Sequence, residues 1–462
     1  MRAGGVSANS IRAEGYRLTA EYHLSEDQVA VAQLARFSAC EPLWELCNGR
    51  HIFRGPIFTR RYTEDPRLGE PYVSGSDLLQ ADVRPVSFLS RTHGALLDDL
   101  RLQSGMILIT CSGMNLGDVI WTRDDLAGLV ATHDLIRVVA DSSKVPPGYL
   151  YIFLLSRYGH AFIRKQIYGG NIKHIEPDHL KQMPVPRLQK HLEDEIHELA
   201  MESARQRSEF VAGIREATDH LFAALGLADL PVGAPAEGRS FAVASSELRT
   251  LRALNHDPVV AASLDAIRAT GSVRLGDICS DGKLSTGARF KRVDTDPGVG
   301  VRLIGQKHGF WMRPHGRWIN AAMAPRSVFA TDETVLVASS GTLGKRELYC
   351  RPILATGRWL DFVYTQHFLR VVTGDAEFPG AFLFAFLRSE VAFRALRSMS
   401  TGTKQQEIHR ELVADLPIPA PPADVRAAVA ARVRDAHRVR DEADVLEERA
   451  LTMLERAVEA AT

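Results

Sequence analysis

The sequence predicts a mixed α/β (α+β) protein made by tandem duplication, in which a globular domain plus a long helix is followed by a second copy of both. Three observations predict it. Two proline-free charged runs, Leu188 to Leu225 and Ala423 to Ala460, carry apolar residues mostly three or four apart. Each run follows a Pro-x-Pro segment, Pro184 to Pro186 in one case and Pro417 to Pro419 in the other. Short motifs also recur in one order at an offset near half of the 462 residues.

The first stripe is Leu192, Ile196, Leu199, Phe210, Ile214, Ala217, Leu221 and Leu225. At about 1.5 Å per residue, this helix is roughly 55 Å long. The second stripe is Val425, Val429, Val433, Ala436, Ala443, Leu446, Ala450, Leu454 and Val458. The domains expected are therefore 1–187, a helix over 188–226, a second globular domain over 227–420, and a closing helix over 421–462.

A 45% hydrophobic composition suffices for two or three packed domains. No apolar run approaches the roughly 20 residues of a membrane span, and the N-terminus has no signal-like apolar region, so a soluble cytoplasmic protein is expected. Five cysteines without CxxC spacing argue against a disulfide framework or structural zinc and for buried or incidental thiols. Acidic and basic residues balance at 56 each, but they are segregated. From Lys283 to Arg317 eight Lys or Arg face two acids, a local +6, whereas Leu188 to Leu225 has four basic residues against eight acids, a local −4. That segregation suits polyanion binding by the globular parts; for any single arginine, a solvated face of mixed charge is the alternative.

In order, the chain offers a helix over Glu26 to Phe37 and an arginine-bearing loop over Gly49 to Gly69. A β piece over Pro71 to Ser74 follows, then a strand over Met106 to Cys111 that runs into the turn Ser112 to Gly117. A strand over Leu135 to Ala140, a helix over Tyr149 to Tyr158 and a loop at Tyr168 to Asn171 complete the first half. The second half repeats this order. Leu18 with His23 lies opposite Leu251 with His256; Gly55, Phe58 and Arg60 match Gly287, Phe290 and Arg292; Asp65, Pro66 and Gly69 match Asp296, Pro297 and Gly300. Leu108 to Gly113 answers to Leu336 to Gly341, Thr132 and Arg137 to Thr365 and Arg370, and Met183 to Pro186 to Leu416 to Pro419, so six matches keep offsets of 228 to 233.

The order of strand, Ser-Gly turn, Arg-Val-Val strand, apolar helix ending near Ser156 or Ser389, loop at Gly169 or Gly402, Pro-x-Pro and long helix resembles the specificity (S) subunit of type I restriction-modification systems. The resemblance runs from about Tyr16 to the end. It implies two target recognition domains, each reading half of a split site in double-stranded DNA. It also implies two spacer helices that pair as an antiparallel coiled coil and dock methyltransferase subunits, two copies being expected, with a restriction or translocase subunit as a further partner. It implies no catalysis and no cofactor on this chain, S-adenosylmethionine being expected on the methyltransferase.

What is missing agrees. There is no polar-Pro-Pro-aromatic amine loop, the nearest approach being Val145 to Gly148, and no phosphate-binding Gly-x-x-x-x-Gly-Lys-Ser/Thr. Asp277, Asp281 and Lys283 lack the strand-borne Glu-x-Lys of a nuclease. His23 and His256 read as packed or loop-ordering residues. The rivals are a specificity protein of another phage-defence or type II system, a diverged single-chain DNA modification enzyme, and a purely structural coiled-coil adaptor. Candidate DNA contacts are Arg54, Arg60, Arg61, Asn115, Asn171 and Lys173 in the first half and Arg289, Lys291, Arg292, Lys307, His308, Lys404, Gln405 and Gln406 in the second. Arg and Lys suit guanine edges and phosphates, Asn and Gln adenine edges. Ser112 and Ser340 either touch DNA or only shape their turns.

Overall fold

The computed structural model describes residues 5–13, 18, 23, 25, 27–169, 173–228, 230, 240–279 and 284–461. Packing divides the chain into two compact units, one drawn from Met1–Ser208 with Glu442–Thr462, the other from Glu209–Asp441. This division differs from the four-segment plan, because each unit takes a stretch of both long helices.

The first unit contains β1 (Cys40–Pro42), β2 (Cys47–Arg54), β3 (Tyr62–Thr63), β4 (Gly69–Val73), β5 (Ser87–Ser90), β6 (Ile107–Thr110), β7 (Val119–Trp121), β8 (Val130–Ala131), β9 (Leu135–Ala140) and β10 (Pro184–Pro186). They form sheets of order β2-β9-β6-β7 and β3-β5-β4-β8 and the pair β1-β10. The second unit contains β11 (Ser272–Arg274), β12 (Leu284–Thr286), β13 (Val301–Ile304), β14 (Gly316–Ile319), β15 (Thr334–Ala338), β16 (Ser340–Gly341), β17 (Pro352–Ala355), β18 (Phe362–Tyr364), β19 (Phe368–Val371), β20 (Ser400–Gly402), β21 (Gln406–Ile408) and β22 (Pro417–Pro419). Its sheet β12-β19-β15-β17 repeats the order of β2-β9-β6-β7, β14-β13-β18 repeats β5-β4-β8, and β11-β22 repeats β1-β10. Strands β6 and β15 are buried throughout, so they read as unbroken apolar runs without alternation. The Pro-x-Pro segments do more than stop the chain. Both are strands in antiparallel pairs, Cys40 opposite Pro186 and Ser272 opposite Pro419, and two-stranded edges tolerate the missing N–H groups.

Each main sheet buries one arginine. Arg137 donates to the carbonyls of Leu135, Leu100 and Thr132 at 3.2–3.4 Å, and Arg370 to those of Phe368, Val328 and Tyr364 at 3.0–3.4 Å. Burial pushes both guanidinium groups down to about 10. The recurrent glycine follows from these arginines: a Cβ on Gly55 would collide with Leu100 and sit 3.4 Å from Arg137, and one on Gly287 would sit 2.6 Å from Arg370. Gly287→Ala should therefore destabilise the protein by about 1–3 kcal/mol through overpacking. Gly305→Ala, with nothing within 4 Å of its Cβ, should change stability by less than about 0.5 kcal/mol. Urea denaturation of the two variants side by side checks this, and equal effects would remove the packing explanation.

The helix expected over Tyr149 to Tyr158 is two helices. Pro147–Leu155 ends at Ser156, which caps Arg157–Lys165 by accepting from the Gly159 N–H. In the second unit Gly380–Leu387 and Glu390–Ser398 meet the same way, Ser389 accepting from the Ala392 N–H at 3.1 Å. The prolines of Val145 to Gly148 open a helix, and the Gly148 N–H donates to His197. The long helices are Lys190–Ala224 and Ala423–Ala460. Within the first unit their segments run antiparallel, Arg449 meeting Glu195 and Ser203 donating to the Ala443 carbonyl. Within the second unit Arg432 meets Glu216, and Gly213 lies against Ala436. The stripe is not purely apolar, since Glu193, Ser203, Arg207, Thr218, His437, Arg440 and Glu447 are buried along it.

The five cysteines form no disulfide, and burial raises the Cys47 thiol to about 12 and Cys111 to about 11. No helix among the described residues is long and apolar enough to cross a membrane.

Candidate nucleic-acid interface

In the first unit, β2, β6 and β9 bring one polar cluster together at their ends. Arg54, closing β2, donates to both Glu176 oxygens at 2.8 and 3.1 Å and to the His133 carbonyl at 3.4 Å, with Asp134 3.7 Å away. Arg60 Nη2 lies 2.8 Å from His133 Nδ1, and its guanidinium stands 5.6 Å from the Tyr72 ring centre. Thr132 donates to Asp134 at 3.1 Å. Burial alone would raise the Asp134 carboxyl; hydrogen bonding from Ser112 and Thr132 and the charge of Arg60 outweigh it and hold it below its usual value. Burial, helped by Arg60 and Arg54, keeps His133 below the usual histidine range.

The equivalent place in the second unit has the same frame with other side chains. Arg292 donates to Gln366 at 3.1 Å as Arg60 meets His133, and the Ser339 N–H donates to the His367 carbonyl as Cys111 does to Asp134. Ser340 pairs with Glu407 across β16 and β21, as Ser112 bridges to His174. Beside it Gln306 bonds the Ser340 backbone and Gln405 the Ser340 hydroxyl. His308 lies 4.5 Å from Trp311 and 5.6 Å from His315 between ring centres, and the Lys307 ammonium is 5.6 Å from the Trp311 centre.

The candidate residues thus separate. Arg61, Lys173, Arg289, Lys291 and Lys404 are exposed, and among the described residues none of their side chains has a hydrogen-bond or ion-pair partner. Arg60, Arg292, Lys307, His308 and Gln405 line the clusters just described. Asn115 donates to Ser76 at 3.1 Å, bracing the turn at β6. One candidate is corrected: Gln406, 2% exposed, accepts from Arg252 at 2.6 Å and donates to the Thr403 carbonyl, so its side chain is withdrawn from solvent. Arg54 is engaged by Glu176 and Asp134 and keeps 18% of its side chain exposed. Asn171 lies outside the described residues, as do Asp281 and Lys283. Within the basic segment Arg317 is paired with Asp294 and Arg302 stands over Trp318, which narrows its free charge. His256 holds its loop through the Thr250 carbonyl at 2.9 Å.

No family profile matches this sequence, and no curated protein matches it. Solved structures do. One is the S subunit of a type I restriction-modification system from M. genitalium, with 13% identity, 92% of this chain and 95% of that one covered, and a TM-score of 0.36. A second is the HsdS subunit from Thermoanaerobacter tengcongensis, with 13% identity, 92% and 97% coverage and a TM-score of 0.27. A third comes from work on complex assembly and conformational transition of the type I R-M system, with 15% identity, 91% and 97% coverage and a TM-score of 0.26. Each of these likenesses extends over more than nine-tenths of this chain.

Sequence reasoning missed His133, Asp134, Glu176, Gln306, Gln366 and His367. The signal available was position: 133–134 and 366–367 follow the matched Thr132 and Thr365, and loop residues next to a repeated frame are where the halves differ.

Proposed function

We propose that this chain is the DNA-specificity subunit of a type I restriction-modification complex, formed by tandem duplication, in which each unit reads one half of a bipartite duplex site. One observation carries the reading. The frame recurs, with Arg137 and Arg370, Gly55 and Gly287, Ser156 and Ser389 and the Pro-x-Pro strands, while the tips differ, His133 and Asp134 against Gln366 and His367. A common scaffold with different polar tips suits two readers of two sequences. The unpartnered cations suit phosphates. The long helices pair as an antiparallel coiled coil and offer docking faces to methyltransferase subunits, which hold S-adenosylmethionine and do the chemistry; a restriction subunit completes the complex.

Methylated-base mapping of the host with and without this chain tests it: a bipartite methylated motif should disappear when the chain is deleted. Persistence of every methylated motif would overturn the reading, and adenosylmethionine binding by the isolated chain would favour a modification enzyme instead. Arg289→Gln with Lys291→Gln should weaken DNA binding evenly across sequences. The slope of log affinity against log salt should become shallower by about 0.9 for each phosphate that is no longer neutralised. Affinity measured over a salt series checks this, and an unchanged slope would place both residues off the DNA.

A further inference from the structure

The loop Thr403 to Gln405, between β20 and β21, is held from three sides. At its start Gly402 has φ 95°, and a Cβ there would collide with the Gln405 carbonyl, so only glycine permits the turn. Beneath it the buried Gln406 side chain donates to the Thr403 carbonyl and accepts from Arg252 at 2.6 Å. Beside it Gln405 Nε2 donates to Ser340 Oγ at 2.7 Å. Ser340 is itself fixed by the Gln306 amide, which donates to its carbonyl at 2.6 Å and accepts from its N–H at 3.3 Å.

Among the described residues, an amide held this way keeps one N–H and its oxygen unoccupied. If the amide is turned over and accepts from the Ser340 hydroxyl, a donor and an acceptor still remain. Gln405 is exposed, so this pair faces solvent. One donor beside one acceptor complements the major-groove edge of adenine, which offers N7 as acceptor and N6–H as donor. Guanine offers two acceptors there.

We propose that Gln405 reads an adenine in the half-site of the second unit, and that Ser340 and Gln306 are positioning residues that hold its amide in register. The proposal rests on the reading of the chain as a specificity subunit and names the base that one of its loops selects. A loop braced before DNA arrives loses little freedom on binding, which makes its contact selective.

The experiment maps methylated bases in the natural host carrying the chain unchanged or with Gln405→Ala, Gln405→Glu, Ser340→Ala or Ser340→Thr. Gln405→Ala should relax one A·T position in one half of the motif, lowering discrimination there roughly 5- to 150-fold, and leave the other half intact. Gln405→Glu should move that position toward cytosine, whose N4–H donates to a carboxylate. Ser340→Ala should relax the same position in part, and Ser340→Thr, which keeps the hydroxyl, should restore it. A merely structural serine would lower methylation at every position together. If the bipartite motif persists but Gln405→Ala alters no position, or alters one that is not A·T, the adenine assignment is overturned and the specificity reading stands. If no methylated motif depends on the unchanged chain, both fall.

Discussion

Arg207→Met should cost about 3–5 kcal/mol of stability, because it strands the buried Glu447 carboxylate in the first unit and takes the partner from the partly exposed Asp444. Arg207 donates to both Glu447 oxygens at 2.6 and 3.0 Å and to Asp444 at 2.9 Å, and the Tyr151 hydroxyl completes Glu447 at 3.0 Å. Arg207 is only 4% exposed, and although burial opposes its charge, Glu447 and Asp444 outweigh that and hold the guanidinium protonated. A single substitution breaks a buried charge pair and loses its attraction without removing the desolvated partners. Adding Glu447→Leu and Asp444→Asn should therefore recover most of the loss. Urea denaturation of wild type, single and triple variants measures it; a triple variant no more stable than the single would mean that packing, not charge, sets the cost.

His437→Leu should flatten the acid side of the stability profile. His437 is buried in the second unit between Phe210 and Phe384, at 5.2 and 5.4 Å between ring centres, with Nδ1 2.8 Å from the Val433 carbonyl. Burial, aided by the charges of Arg440 and Arg388 and opposed by the Val433 bond, pushes it from 6.5 down to about 3. Between about 6.5 and 3 the unfolded chain takes a proton at this histidine and the folded chain does not, so stability falls as pH falls, by at most about 1.4 kcal/mol per pH unit. Above 6.5 the group is neutral in both states and the penalty is absent. The variant minus wild-type difference should thus grow steadily as pH drops from 6.5 toward 3. A pH-independent difference in urea midpoint would show that His437 is not the titrating group.

Arg207 and His437 sit on related layers of the repeat, built from different chemistry. Tyr151 and Phe384 lie 233 positions apart, as do Arg207 and Arg440. In the first unit the tyrosine hydroxyl bonds a buried glutamate. In the second the phenylalanine packs on His437, and Arg440 lies 4.1 Å from the Trp359 ring centre and donates to the Thr356 carbonyl at 3.1 Å.

The sequence by itself carried the long helices and the recurring order of short motifs, because periodicity, proline and glycine act over a few residues and leave their spacing in the chain. It also carried the outward loop cations, since Arg61, Lys173, Arg289, Lys291 and Lys404 sit in stretches rich in turn residues. Only the tertiary structure decided which polar groups are withdrawn from solvent. Arg54 and Arg61 read alike in sequence, yet Glu176, 122 residues from Arg54, engages one and not the other. Gln405 and Gln406 are neighbours, yet Gln405 ends an exposed loop while Gln406 opens β21 with its side chain against Arg252, 154 residues away. The same holds in the helices, where Arg207 and Glu447 look like surface charges until the antiparallel partner buries them together. Charge and polarity are properties of a residue; whether they face water depends on a partner that the chain supplies from far along its length.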